Sequence, residues 1–244
     1  MIGITVSTPK YAALSKEAVA RWKRFTGLPA KVIEVDDREA FNAKMKLDML
    51  APRELCVFFD ADWWALRPLD FTGWKGDAWL AVHDPGVFHP KAFCRPDCDA
   101  MGIDPGQYFN SGFFAWNNAD AAMRRVFGIA RQHEHDAFRG EGDDVLDFGE
   151  QSRLNLGVQR SGIPLSLLPA SMNFMRFMVQ GRVFPYIPAI VHAVHAAGVK
   201  LPEKWRHLQA ASDFLSYDLD TSPEGEQAAR DAALWHNRLT FETR

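Results

Sequence analysis

Three short apolar runs separated by helical stretches constrain this chain more than anything else in it. Ile2 to Ser7 (IGITVS) reads as a buried strand, Lys31 to Val35 (KVIEV) as a second, and the run opening at Cys56 (CVFF) as a third. Between the first two, Leu14, Ala18, Ala20, Trp22 and Phe25 recur at helical spacing from about Tyr11, until Thr26-Gly27-Leu28-Pro29 stops the helix. A second helical stretch runs from Arg38 to about Leu50. Strand, helix, strand, helix, strand at this spacing is a βαβ pattern, and it predicts an α/β domain with a mostly parallel central sheet.

The third strand delivers the first candidate chemistry. Cys56-Val57-Phe58-Phe59 is followed at once by Asp60-Ala61-Asp62. If the strand continues through these residues, Asp60 and Asp62 point the same way and the small Ala61 faces the opposite way. Two carboxylates that close repel each other unless a positive charge lies between them. A hard divalent cation with oxygen ligands, magnesium or manganese, answers that need. The carboxyl end of a strand is also where α/β sheets bind ligands. The expectation is therefore a metal site that holds a diphosphate; the plain alternative is a solvated turn. Tyr11, just past the first strand, is placed to stack on a base or else to pack at the surface.

The remaining chain supplies further elements. Ala78 to His83 reads as a strand that ends at Asp84-Pro85-Gly86. Residues 85 to 107 are rich in Pro, Gly, Asp and Cys and are expected to form a long functional loop. Tyr108 to Trp116 reads as a strand interrupted at Asn110-Ser111-Gly112, where glycine signals a bulge or a close approach of backbone to another group. Helices are expected over Ala119 to Phe138 and from Glu150 to Leu156, strands at Leu165 to Pro169 and Ala189 to Val194, and an amphipathic helix over Pro223 to Phe241. His133 and His135 alternate and so fall on different faces of their helix, which argues for a solvated surface rather than a metal cluster. Glu141 to Asp147 reads as an acidic loop.

Composition narrows the class. The 244 residues make one large domain or two small ones, and the net charge of -3 offers no basic field for nucleic acid or an anionic membrane. Cysteines stand at 56, 94 and 98, which suits a reducing compartment better than a disulfide scaffold, and Cys94 and Cys98 have no second ligand pair at zinc spacing. The first residues do not form a signal peptide, and no stretch approaches the ~20 apolar residues of a membrane span. A cytoplasmic location is expected. Eight Trp and 18 Phe are enough to build both a core and a sugar-binding cleft.

Several segments together resemble the family 8 glycosyltransferases, retaining GT-A-fold enzymes that include glycogenin and the lipopolysaccharide galactosyltransferases. Lys46-Leu47 followed by the Asp60-Ala61-Asp62 strand is similar to the family's Lys-Leu and metal-binding Asp-x-Asp. Phe109-Asn110-Ser111-Gly112-Phe113 resembles its Phe-Asn-Ser/Ala-Gly, and Gly149-Glu150-Gln151-Ser152-Arg153-Leu154-Asn155 its Gly-Asp-Gln-x-x-Leu-Asn. Leu168-Pro169 with Asn173 looks like its Leu-Pro…Asn. His195-x-x-Gly198-x-Lys200 with Trp205 looks like its closing His-x-x-Gly-x-x-Lys-Pro-Trp. The likeness runs from about residue 2 to 206. Glu150 departs from the family's Asp, and the span from His195 to Lys200 is one residue short, which makes His192 a rival metal ligand.

The resemblance implies a single GT-A, Rossmann-like nucleotide-diphospho-sugar transferase domain over 1–244. Its nucleotide-binding half would cover about 1–85, its acceptor and catalytic half about 86–206, and a helical C-terminal segment about 207–244. It implies a metal-dependent transfer from a UDP-sugar, with retention, to an acceptor hydroxyl, and leaves glycans, lipid-linked sugars, proteins and modified nucleobases open as the acceptor. Asp60, Asp62 and His195 would bind Mn2+ (or Mg2+). Lys200 and the Gly198 backbone would meet the diphosphate, Thr8 and Tyr11 the base, and Lys46, Asp84 and Asn110 the ribose or donor sugar. Gln151 and Glu150 would lie beneath the anomeric carbon. Two other classes fit parts of the chain. One is a haloacid dehalogenase-type phosphatase with Asp60 as nucleophile and Asp62 as acid, using Ser111 and the Gly142-Asp143-Asp144…Asp147 run. The other is a non-catalytic carbohydrate-binding protein.

Overall fold

The computed structural model describes residues 1–84, 87, 94–132, 149–173, 178–179, 182–183, 192–196 and 201–216. Its centre is a six-stranded sheet in the order β2-β1-β3-β6-β5-β7. The strands are β1 (Ile2–Ser7), β2 (Ala30–Glu34), β3 (Leu55–Phe59), β5 (Trp79–His83), β6 (Phe109–Asn117) and β7 (Leu165–Leu168). All run parallel except β6, which is antiparallel to β3 and β5. The mostly parallel sheet read from the alternation of elements is therefore present.

Both faces of the sheet are covered, as parallel strands with apolar runs require. On β3, Val57 and Phe59 join Leu14, Ala18 and Trp22 of α1 (Ala12–Thr26) on one face. Cys56 and Phe58 join Val126 and Phe127 of α5 (Ala121–Gln132) and Leu154 and Val158 of α6 (Gly149–Ser161) on the other. Aromatic stacking fixes these contacts: Trp22 of α1 on Phe59 of β3 with centroids 5.1 Å apart, and Trp79 of β5 on Phe114 of the neighbouring β6 at 5.1 Å. Each such ring removed from water contributes roughly 1.5–3 kcal/mol. Gly3 of β1 lies under Trp22; a Cβ there would come within 2.6 Å of the indole Nε1, so only glycine lets α1 pack this close.

Several expectations need correction. The helix expected from Arg38 to Leu50 is broken into a 3-10 turn (Asp37–Glu39), α2 (Ala40–Met45) and α3 (Leu47–Leu50), because Lys46 leaves helical geometry at φ -109, ψ 15. The loop expected at 85–107 contains α4 (Cys94–Met101) and a 3-10 turn (Pro105–Gln107). Cys98 is buried there in a small cluster with Val87, Ile103, Tyr108 and Leu156. Another helix, α7 (Leu201–Ser216), starts earlier than the helical segment expected from about 207. Both α4 and α7 carry proline in the first turn, where its missing N–H has no intrahelical partner to lose. The His133-Glu134-His135-Asp136 run, the Glu141 to Asp147 loop, Gly198, Lys200 and the Pro223 to Phe241 helix lie outside the described residues.

Candidate active site

The site forms where the carboxyl end of β3 meets a bulge in β6. β3 stops at Phe59, one residue short of the Asp-x-Asp, so the carboxylates are not displayed on a continuing strand. A turn presents them instead. The Asp60 N–H donates to Gly112 O at 2.9 Å, carrying the β3–β6 ladder one step further, and the Trp63 N–H donates back to Asp60 O at 3.0 Å. The chain then enters β4 (Trp63–Ala65), which pairs antiparallel with β10 (Ala193–His195), the strand that follows the short pair β8 (Met178–Val179) and β9 (Arg182–Val183). In that register His195 stands opposite Trp63, and the Ala196 N–H donates to Asp62 O at 3.0 Å. A histidine far along the chain is thereby placed beside the Asp pair.

The result is a compact group. One ligand atom each from Asp60, Asp62 and His195 lies within 4.8 Å of the others. His195 Nε2 is 3.5 Å from Asp60 Oδ2 and 3.4 Å from Asp62 Oδ1. His195 is buried, and its Nδ1 has no hydrogen-bond partner among the described residues. Gly112 makes room for the ring: a Cβ there would sit 2.7 Å from His195 Nδ1 and 2.9 Å from Asn110 Oδ1. The glycine singled out in the sequence thus permits a close approach, and the neighbour is a candidate ligand. Two carboxylates and one imidazole are a donor set that suits manganese or another divalent ion of the first transition row. The rival, His192, is half-buried and engaged elsewhere, with Nδ1 2.9 Å from Pro68 O.

We expect Gly112→Ala to push the imidazole off this position and weaken Mn2+ affinity at least ~10-fold, as misplacing a ligand or its support commonly does. Titration calorimetry on the folded variant checks this; unchanged affinity would show that His195 is not a ligand.

β6 runs unbroken along β3, but against β5 its register shifts between Ala81 and Val82, whose partners are Phe114 and Asn110. The expected interruption at Asn110-Ser111-Gly112 is therefore a bulge on one side only. A bulge leaves backbone groups without ladder partners, and buried ones must find others. Side chains of α6 supply them. Asn155 accepts from the Phe109 N–H at 2.8 Å and donates to Phe109 O at 2.9 Å. Gln151, one turn earlier, accepts from the Ser111 N–H at 3.0 Å. The Gln-x-x-x-Asn spacing puts both on one helix face.

Gln151 also accepts from Asn110 Nδ2 at 3.1 Å and donates from Nε2 to Asp84 Oδ2 at 2.9 Å, so its amide is held on both sides. Asn110 donates to Asp84 at 3.3 Å and accepts from Asn173 Nδ2 at 3.1 Å. Asp84, Asn110, Gln151 and Glu150, all candidates from sequence, are brought together.

Two lysines that sequence reasoning passed over complete the site. Lys46 is exposed at the break between α2 and α3. Lys44, two residues earlier, is the one turned inward: its ammonium is 3.0 Å from Asp60 Oδ1, 3.4 Å from Glu150 Oε1 and 3.4 Å from Ser111 O, and 5.0 Å from the Phe58 ring centroid. Burial works against its charge, but Asp60 and Glu150 outweigh that and raise its pKa above the usual lysine value. Burial raises the Glu150 carboxyl, against the pull of Lys44. Lys204 of α7 is the other: its ammonium pairs with Asp62 Oδ2 and donates to Ala196 O at 2.8 Å. Burial would raise Asp62, but His195 and Lys204 together hold it well below the ordinary carboxylate range.

Tyr11, half-buried, has Lys204 Nζ 6.0 Å from its ring centroid. Its hydroxyl is raised by burial, opposed by Lys204. Thr8 is buried at the end of β1, and its carbonyl accepts from the Tyr11 N–H at 2.9 Å. The two base-binding candidates therefore lie on the Lys204 side of the Asp pair.

Among solved structures, this chain is similar to the galactosyltransferase LgtC, solved with donor and acceptor sugar analogues: 17% identity, 94% of this chain and 100% of that one covered, TM-score 0.62. The chain has the GT-A fold. An active-site mutant of LgtC, glutamine replaced by glutamate, matches at 16% identity over 94% of this chain and 100% of that one, TM-score 0.60. WbbM, a bifunctional glycosyltransferase, matches at 14% identity over 94% of this chain and 51% of that one, TM-score 0.62. No family model and no curated protein matches. No helix among the described residues is long and apolar enough to cross a membrane.

Proposed function

We propose that the chain is a metal-dependent glycosyltransferase of family 8 type that transfers a sugar from a UDP-sugar to an acceptor hydroxyl, with retention of configuration. The carrying observation is the Asp60, Asp62 and His195 group at the carboxyl end of the central strand. A divalent cation held there, Mn2+ or Mg2+, would neutralise the diphosphate as it leaves. Thr8 and Tyr11 bind the base, Asp84 and Asn110 the ribose or donor sugar, and Lys200 with the Gly198 backbone the diphosphate. Glu150 and Gln151, fixed by the β6 bulge, lie beneath the anomeric carbon. Lys44 is a positioning residue that holds Asp60 to Glu150, whereas Lys46, expected at the ribose or donor sugar, is exposed at the break between α2 and α3. A glutamine belongs to the active site of LgtC, which supports the role of Gln151. The acceptor is a glycan, a lipid-linked sugar, a protein or a modified nucleobase, recognised by the segments around 85–107 and 136–149 and by the C-terminal region.

The test is thermal unfolding with a panel of nucleotides and nucleotide-sugars, with and without Mn2+, since a ligand that binds only the folded state raises the melting temperature. UDP or one UDP-sugar is expected to stabilise the protein only when Mn2+ is present. NMR of the anomeric proton of the released or transferred sugar then reads the stereochemistry. Stabilisation by Mg2+ with a phosphate analogue and by no nucleotide would favour the phosphatase. Binding of a glycan with neither nucleotide binding nor turnover would favour a carbohydrate-binding protein.

A further inference from the structure

Each carboxylate of the Asp pair already carries its own buried ammonium: Lys44 on Asp60 at 3.0 Å, and Lys204 on Asp62. Three carboxylates, Asp60, Asp62 and Glu150, thus share two buried ammonium groups, and Lys204 is the one paired with Asp62. A divalent ion placed between Asp60 and Asp62 meets both ammonium groups at short range, and like charges that close are unfavourable at a buried site. One lysine has to yield. Lys44 is pinned by Asp60, Glu150, Ser111 O and the Phe58 ring. Lys204 has Asp62, one carbonyl, Ala196 O, and the Tyr11 ring at 6.0 Å, and sits near the start of α7.

We infer that Lys204 is an internal competitor for the cation at Asp62, so that the divalent ion alone binds weakly and binds together with a diphosphate. The anion gives the displaced ammonium a new partner. Cation and nucleotide then bind cooperatively because the same lysine couples them. This inference rests on the metal-site reading above and names a regulation of that same site. The alternative role for Lys204 is to orient Asp62 as a ligand, which makes the opposite prediction for affinity.

The test measures Mn2+ binding by the paramagnetic resonance of the free ion, for the wild-type chain, Lys204→Met and Lys204→Gln, with and without UDP. Met keeps the aliphatic stem. Gln keeps a donor for Ala196 O without the charge, so it serves where Met fails to fold. Circular dichroism melts confirm a cooperative transition in each. Without UDP, the variants are expected to bind Mn2+ at least tenfold tighter than wild type. Adding UDP is expected to tighten Mn2+ binding several-fold more in wild type than in the variants. Equal affinities without UDP, or weaker binding by the folded variants, would overturn the competition while leaving the metal site standing. No Mn2+ binding by any of the three, with or without UDP, would remove the metal site and this inference with it.

Discussion

Asp62→Asn is expected to reduce sugar transfer at least ~1000-fold and to lower the melting temperature in the same protein. On the proposed function, the loss of turnover follows from losing a carboxylate ligand, since charge stabilisation by a bound cation is worth several kcal/mol in the transition state. The loss of stability comes from Lys204, which is buried and would be left without its anionic partner. Removing one member of a buried ion pair typically costs about 3–5 kcal/mol. An asparagine carbonyl still accepts from the ammonium, so the low end applies, about 3 kcal/mol. For a chain of this length that corresponds to a shift of roughly 6–12 °C. Transfer of labelled sugar and a calorimetric melt of one preparation read both. Wild-type turnover at a lowered melting temperature would sink the metal role of Asp62; an unmoved melting temperature would sink the buried pair.

That coupled stability cost is not legible in the sequence, and the reason is physical. Asp62 and Lys204 are 142 positions apart, and a lysine in an amphipathic stretch reads as a solvated side chain. Only the β4–β10 pairing, which brings His195 opposite Trp63, carries the chain back far enough for α7 to reach the Asp pair. The aspartates themselves announce their chemistry because they follow an apolar strand. Their presentation does not follow from strand geometry, because β3 ends at Phe59 and a turn takes over.

The bulge shows the reverse case. Gly112 inside an apolar strand signalled a local departure, and the bulge and the approach of His195 are both found there. The compensation was hidden: Gln151 and Asn155 were readable as a helical pair, but their role as partners for Phe109 and Ser111 backbone groups appears only once α6 is packed against β6. The break in the helix at Lys46 had the largest effect on the site. A single continuous helix from Arg38 to Leu50 gives no reason to prefer Lys44 over Lys46, whereas α2 ending at Met45 turns Lys44 into the protein and leaves Lys46 outside.

Lys44→Met is the variant in which that inward turn has the largest measurable consequence. Methionine keeps the apolar stem over Phe58 but leaves Asp60 and Glu150 without their shared ammonium. We expect a loss of about 3–5 kcal/mol at neutral pH, or on the order of 10 °C. The pH dependence identifies the cause. Glu150 is raised by burial, and Lys44 opposes that rise, so removing Lys44 moves the carboxyl higher still. An acid raised in the folded state costs no stability below its unfolded value of about 4.5, and progressively more as pH climbs from there through the folded value. The variant should therefore recover much of its deficit when the melt is repeated near pH 5. Lys44 itself is raised in the wild type, so it stays charged over this range, and its own deprotonation removes stability only as pH passes the folded value. Wild type and variant should diverge as pH rises from 5 to 8 and stay apart at pH 9. A melting temperature within ~2 °C of wild type at pH 7, or a deficit that does not shrink on acidification, would mean that Lys44 is not what holds Asp60 and Glu150 together.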